Sequence, residues 1–200
     1  MGGGHTRVLG LTGSIGMGKS TAAVMLGRMG LAVFSADACV HALLAPGGAA
    51  VRDVAHAFPE AVSDGNVSRP RLGAAVFGDD AALARLEAIL HPRVRAAEQA
   101  FIRAQNLRRA RLCVLEIPLL FETGAETMCD AVVVLTAPPF VQAARVLARP
   151  GMTPARLAQV RVRQMSEAAK AARADFLVAT GLGRRHTWAA LSSIVKSLSR

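Results

Sequence analysis

Residues 10–21 read GLTGSIGMGKST, a run with four glycines that ends in a lysine and two hydroxyl side chains. An apolar run at residues 7–11 precedes it, and apolar side chains at helical spacing follow over residues 19–29. Strand, glycine-rich turn and helix form the context in which the pattern G-x-x-x-x-G-K-[ST] binds phosphate. The glycines let successive N–H groups point at phosphate oxygens, and the helix start adds its positive dipole end. The stretch therefore predicts a nucleoside triphosphate site.

The predicted nucleotide-binding residues form one continuous loop. Within it we expect Lys19 to reach the β- and γ-phosphates and the Ser20 hydroxyl to bind Mg²⁺. The loop residues are Gly13, Ser14, Ile15, Gly16, Met17, Gly18, Lys19, Ser20 and Thr21.

The rest of the chain alternates short apolar runs with helical patterns. Further strands are predicted at residues 31–34, 112–115, 131–135 and 176–179, and helices at 140–147, 154–165 and 188–198. Residues 37–108 have a helical pattern with breaks, one of them at His91-Pro92. Strands that alternate with helices predict an α/β fold: a parallel sheet of about five strands with helices on both faces.

The chain is strongly basic, with a formal net charge of +10 and a pI near 11.3, so a polyanionic partner is expected. Residues 140–173 hold seven Lys or Arg against one Glu. Only eight aromatic residues leave few stacking platforms for single-stranded nucleic acid. No apolar run reaches the ~18–20 residues of a membrane span. Three cysteines, an odd count without paired spacing, are typical of buried free thiols in a reducing compartment, so we expect a cytoplasmic protein.

Two carboxylates follow predicted strands. Asp37 comes just after the second strand and Glu116 closes the third, and ligands of open parallel sheets gather at the carboxyl ends of strands. Asp37 could accept a proton from an attacking hydroxyl or hold a metal ion, and it could equally cap a helix over residues 38–44. Glu116 is a second candidate for the metal ion, or an exposed charge at a strand end.

Residues 9–181 resemble the dephospho-coenzyme A kinases. The resemblance rests on seven segments in order: GLTGSIGMGKST, SADACVH, DGNVSRPRLGAAVF, LEAILHPRV, VLEIPLLFETG, QAARVLARPGMT and ADFLVATG. It implies phosphoryl transfer from ATP to the ribose 3′-hydroxyl of dephospho-coenzyme A, the last step of coenzyme A biosynthesis, with ATP and Mg²⁺ as cofactors. It also implies one P-loop kinase domain over residues 1–200. The nucleotide core would comprise residues 7–44, 110–138 and 175–200, with a helical acceptor-binding region at 45–109 and a helical basic lid at 139–174.

The resemblance also implies roles for individual residues. Asp37 matches the proposed general base, and Arg145 and Arg149 match lid residues that approach the nucleotide phosphates. The expected catalytic residues are thus Asp37, Lys19 and Arg145. The residues in acceptor-binding positions are Asp37, Arg69, His91, Arg95, Pro118 and Leu119. For His91 and Arg95 a helix end and a solvated charge remain alternatives, and for Pro118 and Leu119 ordinary core packing.

Two positions depart from the family pattern. Ser35 stands where many members have a first aspartate, which leaves Asp37 as the one carboxylate of that segment, and Thr180 stands where Asn is common. Two other functions stay open on the residues: a kinase for another small hydroxyl acceptor, such as a nucleoside or nucleotide, and a regulatory nucleoside triphosphatase that binds nucleic acid. The expected partner is the small-molecule acceptor, without nucleic acid or membrane, and the chain is expected to be a monomer or small homo-oligomer.

Overall fold

The computed structural model describes residues 5–199. Its strands are β1 (Arg7–Thr12), β2 (Ala32–Ser35), β3 (Val62–Ser63), β4 (Asn66–Val67), β5 (Leu112–Glu116), β6 (Ala131–Thr136) and β7 (Phe176–Ala179). Its α-helices are α1 (Lys19–Arg28), α2 (Ala36–Leu43), α3 (Val51–Ala57), α4 (Arg69–Val76), α5 (Asp80–Leu107), α6 (Pro139–Leu147), α7 (Pro154–Arg163), α8 (Glu167–Ala172) and α9 (Arg184–Leu198). These residues form two compact units, one made of residues 5–35 and 102–199 and the other of residues 36–101.

The first unit is built on a five-stranded parallel sheet in the order β2-β5-β1-β6-β7. β1 lies at its centre, where Leu11 is in register with Glu116 on one side and Val133 on the other. All five strands read as short apolar runs, which is typical of parallel strands covered on both faces. The predicted α/β class and the parallel sheet are confirmed.

Alternate residues of β1 pack on opposite sides of this sheet. Leu9 and Leu11 are fully buried in a cluster with Leu26 of α1 and Leu191 of α9. On the other face, a Cβ at Gly10 would lie 2.9 Å from the Cys129 sulfur, so a larger residue there would force neighbouring side chains to move. The sheet is thus packed from both sides, and its carboxyl edge is left to the loops.

The second unit has a small core of its own. Its buried residues come from α3, α4, α5, the segments between them and the segment before α3, with Val54, Phe58, Leu72 and Leu86 among them. β3 and β4 form a two-stranded antiparallel hairpin around Asp64-Gly65, a feature that the helical pattern of residues 37–108 did not predict.

The expected helix break at His91-Pro92 is wrong, because α5 runs through Pro92 as one helix of 28 residues. Leu86 and Leu90 bury its apolar side in the core of the second unit, and such tertiary packing outweighs the local cost of proline. Within the same turn, the Arg93 Nη1 atom donates to the Ile89 carbonyl oxygen at 2.6 Å.

The three cysteines are free thiols, but only Cys113 is fully buried, whereas Cys39 and Cys129 are half-buried. Burial raises the pKa of the Cys113 thiol to about 11, and the nearby charge of Asp130 adds to the rise. Between residues 5 and 199, none of the helices combines the length and the apolar character that crossing a bilayer requires.

Candidate active site

The loop between β1 and α1 has the conformation that its glycines predict. Gly13 and Gly16 have φ angles of +149° and +80°, in the region that side chains disfavour. A Cβ at Gly13 would lie 2.8 Å from the Leu135 carbonyl oxygen, and one at Gly16 would lie 2.7 Å from a methyl group of Val146. Both glycines are therefore required, by the backbone angle and by the neighbours that approach them.

Lys19, the first residue of α1, folds back over the loop. Its Nζ donates to the Gly13 carbonyl oxygen at 2.6 Å and to the Ser14 carbonyl oxygen at 3.2 Å. The ammonium group therefore sits at the concave side of the turn, where the start of α1 adds the positive end of its dipole.

Arg145 joins the loop to the end of β7. Its Nη1 donates to the Thr180 hydroxyl at 2.9 Å, its Nη2 donates to the Thr180 carbonyl oxygen at 2.9 Å, and Nη1 also reaches the Gly16 carbonyl oxygen at 3.3 Å. Thr180 is buried, and its hydroxyl lies 2.9 Å from the Met17 carbonyl oxygen. The structure thus brings Arg145 of the basic segment against the loop.

A cavity of about 370 Å³ opens beside these groups. Its lining includes Gly16, Gly18, Arg145, Arg149, Thr180 and Arg184. Three guanidinium groups around one cavity favour an anionic ligand, because they place positive charge and N–H donors beside it. Arg184 had no assigned role in the sequence, although it is the first residue of α9, directly after Gly183.

A wider groove of about 640 Å³ shares Thr21, Met25 and Arg184 with this cavity. It lies between α1 and α9 and exposes the Trp188 ring, which is 39% accessible. Sequence reasoning assigned Trp188 to the terminal helix and gave it no function.

The residues predicted to hold the metal ion belong to elements that flank the loop. Ser20 is the second residue of α1, and Glu116 is the last residue of β5, buried and in register with Leu11 and Ser35. Hydroxyl and carboxylate oxygens are the ligands that Mg²⁺ prefers. Within residues 5–199 no group of three or more His, Cys, Asp and Glu is arranged to hold a metal ion.

Pro118 and Leu119 follow β5 in a turn and are half-buried. The Pro118 carbonyl oxygen accepts from the Thr12 hydroxyl at 3.2 Å, and the Leu119 carbonyl oxygen accepts from the Thr123 hydroxyl at 2.8 Å. Both residues are therefore fixed at the carboxyl edge of the sheet, where β1 also ends.

The other predicted acceptor residues lie in the second unit. Asp37 is the second residue of α2, a helix that begins at Ala36. The alternative that Asp37 caps a helix starting at residue 38 is therefore wrong. Arg69 begins α4, and its Nη1 lies 3.3 Å from Nδ1 of His41. His91 and Arg95 share one face of α5, one turn apart.

Glu98 on α5 is a buried carboxylate that the sequence did not single out. Its Oε2 lies 3.7 Å from Nη1 of Arg95. Burial raises the pKa of Glu98, and the Arg95 charge opposes that rise. Burial also raises the pKa of the Cys39 thiol, with a smaller contribution from the charge of Glu98. The spacing of Arg95 and Glu98, one helical turn, is the signal that could have identified this pair.

Similarity to known proteins extends over most of the chain. The family model for dephospho-CoA kinase matches residues 7–182. The chain is similar to a dephospho-CoA kinase of Paramagnetospirillum magneticum, at 62% identity over 82% of this chain and 77% of that one. It is 55% identical to a dephospho-CoA kinase of Rhodospirillum rubrum over 92% of this chain and 88% of the other. The crystal structure of TT1252 from Thermus thermophilus superposes with a TM-score of 0.82 at 33% identity, covering 97% of this chain and 98% of that one. The chain therefore belongs to the dephospho-CoA kinase family.

Proposed function

We propose that this chain transfers the γ-phosphoryl group of ATP to the ribose 3′-hydroxyl of dephospho-CoA, which yields CoA and ADP. The observation that carries the proposal is the phosphate loop of residues 13–21 in a chain 62% identical to a named dephospho-CoA kinase. Shaped by Gly13 and Gly16, the loop presents backbone N–H groups and the Lys19 ammonium to one ligand.

On the donor side, the loop N–H groups and Lys19 hold the β- and γ-phosphates. Arg145 and Arg149, which line the cavity beside the loop, donate to the phosphate oxygens and neutralise the charge that develops during transfer. Each acts by position and charge, since phosphoryl transfer requires little covalent chemistry from the protein.

On the acceptor side, Asp37 orients the 3′-hydroxyl and takes its proton as the new bond to phosphorus forms. The second unit binds the phosphate-bearing part of dephospho-CoA through the guanidinium groups of Arg69 and Arg95 and the imidazole of His91. Pro118 and Leu119, at the edge of the sheet, provide apolar contacts to the acceptor. Residues 45–109 then form the acceptor-binding region and residues 139–174 the lid over the nucleotide, within one kinase domain.

Ser20 would hold Mg²⁺ by its hydroxyl, with Glu116 as a second oxygen donor, directly or through water. When bound, the ion would supply positive charge that offsets the charge of the triphosphate. Ser35 cannot supply the carboxylate that many family members have at that position, so Asp37 alone serves that segment.

The free cysteines are consistent with a cytoplasmic location for this activity, either as a monomer or as a small homo-oligomer. The basic charge of the lid is accounted for by ATP and by the pyrophosphate of the acceptor, without nucleic acid.

The purified protein with Mg-ATP and a panel of hydroxyl acceptors tests the proposal. We expect kcat/KM for dephospho-CoA to exceed that for adenosine, AMP and shikimate by at least ~1,000-fold, because only this acceptor fills the whole site. A higher kcat/KM for a nucleoside or nucleotide would replace the proposal with a kinase of that class. ADP formation stimulated by RNA, without any phosphorylated acceptor, would indicate a nucleoside triphosphatase that depends on nucleic acid.

A further inference from the structure

Helix α6 contacts the phosphate loop through Gln142 as well as through Arg145. Gln142 lies three residues before Arg145, one helical turn away on the same face. Its side chain is only 4% exposed, and its Nε2 donates to the Ile15 carbonyl oxygen at 2.8 Å. The backbone and Cγ of Gln142 also lie 3.1 and 3.2 Å from the place where a Cβ of Gly16 would be.

A second glutamine holds the other backbone group of Ile15. Gln164, directly after α7, accepts from the Ile15 N–H through its Oε1 at 3.1 Å. Arg161 of α7 completes the arrangement, because its Nη2 donates to Oε1 of Gln142. Both polar backbone groups of Ile15 are therefore bound by side chains from the basic segment, and the two glutamines are linked through α7.

The hydrogen bonds to Ile15 restrict the backbone conformation of the phosphate loop. Gly13 and Gly16 allow the backbone angles that the loop needs, but glycine also allows many other angles when nothing else holds the loop. A loop that binds a triphosphate must keep its N–H groups convergent, and each degree of freedom that remains before binding lowers affinity. Bonds to the N–H and carbonyl of Ile15 remove that freedom immediately before Gly16.

We propose that Gln142 and Gln164 are positioning residues that hold Ile15, pre-order the phosphate loop for ATP and couple it to α7. The proposal deepens the proposed function and rests on it. Neither glutamine touches the reacting atoms. Arg161 acts one step further away, through Gln142.

The test compares Gln142→Met with Gln105→Met. Methionine is close to glutamine in shape and removes both polar atoms, and Gln105, on α5, is 5% exposed and makes none of the described hydrogen bonds to the loop. Calorimetric titration with ATP, and separately with dephospho-CoA, gives the affinity for each ligand. We expect Gln142→Met to weaken ATP binding about 10-fold, as befits a buried bond lost, and to change dephospho-CoA binding less than about 2-fold.

Gln105→Met is expected to bind ATP as tightly as the wild type even if its melting temperature falls by as much as that of Gln142→Met. Unchanged ATP affinity in Gln142→Met, or an equal loss in both variants, would overturn the positioning role. If Gln142→Met does not fold, Gln164→Ala decides: about 3-fold weaker ATP binding supports the proposal, and wild-type binding overturns it. Because binding is measured without turnover, this result is separate from whether the enzyme phosphorylates dephospho-CoA.

Discussion

The guanidinium of Arg145 and the residue Thr180 are joined by two hydrogen bonds of 2.9 Å, one to the hydroxyl and one to the carbonyl oxygen. Thr180 directly follows β7 at the edge of the sheet, and its hydroxyl also lies 3.2 Å from the carbonyl oxygen of Thr136, the last residue of β6. Arg145 is thus held against the sheet and the phosphate loop together. The Thr180 side chain contributes its hydroxyl to this arrangement, and the Thr180 backbone contributes its carbonyl oxygen.

Removal of that hydroxyl should loosen Arg145. In Thr180→Val the bond to the carbonyl oxygen remains, but the Arg145 Nη1 and the Met17 carbonyl oxygen each lose a partner. We expect KM for ATP to rise about 5- to 10-fold, while KM for dephospho-CoA stays unchanged. Thr180→Ser keeps the hydroxyl and should keep the wild-type KM. Equal kinetics in the Val and Ser variants would show that the hydroxyl does not position Arg145.

Loss of the Lys19 charge should reduce turnover. Lys19→Met removes the ammonium group that lies over the Gly13 and Ser14 carbonyl oxygens, and kcat should fall by at least ~100-fold because this charge stabilises the transferring phosphate. Lys196→Met, at an exposed position of α9, is the matched control and should leave kcat unchanged. Steady-state ADP release measures both, and similar kcat values for the two variants would exclude Lys19 from catalysis.

The base role of Asp37 has a similarly direct test. Asp37→Asn keeps the size of the side chain but cannot accept the proton, so kcat should fall by at least ~100-fold. The control is Asp64→Asn, because Asp64 is exposed in the β3–β4 turn at φ +51°, a conformation that asparagine tolerates. Turnover of Asp37→Asn near that of Asp64→Asn would mean that another group, or water, takes the proton.

A buried ion pair gives the first unit a pH-dependent stability. Lys170 on α8 is fully buried, with its Nζ 3.0 Å from Oε1 of Glu122, which also accepts from the Met165 N–H at 2.8 Å. Burial acts to raise the pKa of Glu122, but the bonds from Met165 and Lys170 outweigh it and lower the pKa overall. A carboxylate with a lowered pKa stabilises the fold above its unfolded pKa, about 4.3, and this stabilisation is lost as the pH falls through the folded pKa.

Glu122→Gln should therefore unfold more easily than the wild type at pH 7, by about 3 kcal/mol, because it leaves Lys170 buried without a counter-charge. The difference in the free energy of unfolding should shrink as the pH falls below about 4. Urea titrations at several pH values measure it. A difference that is the same at pH 7 and pH 3.5 would rule out ionised Glu122 as its source.

The sheet and the phosphate loop were predictable because their signals are local. Each parallel strand is a short apolar run, and the glycine pattern specifies the turn before α1. The continuity of α5 through Pro92 was not predictable, since it depends on burial of Leu86 and Leu90 in a core whose other members are distant in sequence.

The same distinction applies to the site. Lys19 and Ser20 follow from the loop pattern, and the resemblance indicated Arg145. The roles of Gln142 and Gln164 depend on contacts with Ile15 across more than 120 residues, which no local pattern contains. The sequence spacing of Gln142 and Arg145, one helical turn, indicated only that the two side chains share a face of α6, not that Gln142 contacts the loop.

The position of the transferred phosphate tests the central claim most directly. Wild-type protein is incubated with Mg-ATP and dephospho-CoA, and the product is examined by mass spectrometry and by proton–phosphorus NMR. The account predicts one added phosphate per acceptor, with its phosphorus coupled to the ribose 3′ proton, and one ADP released for each. Phosphate on any other oxygen, or ADP release without a phosphorylated acceptor, would contradict it.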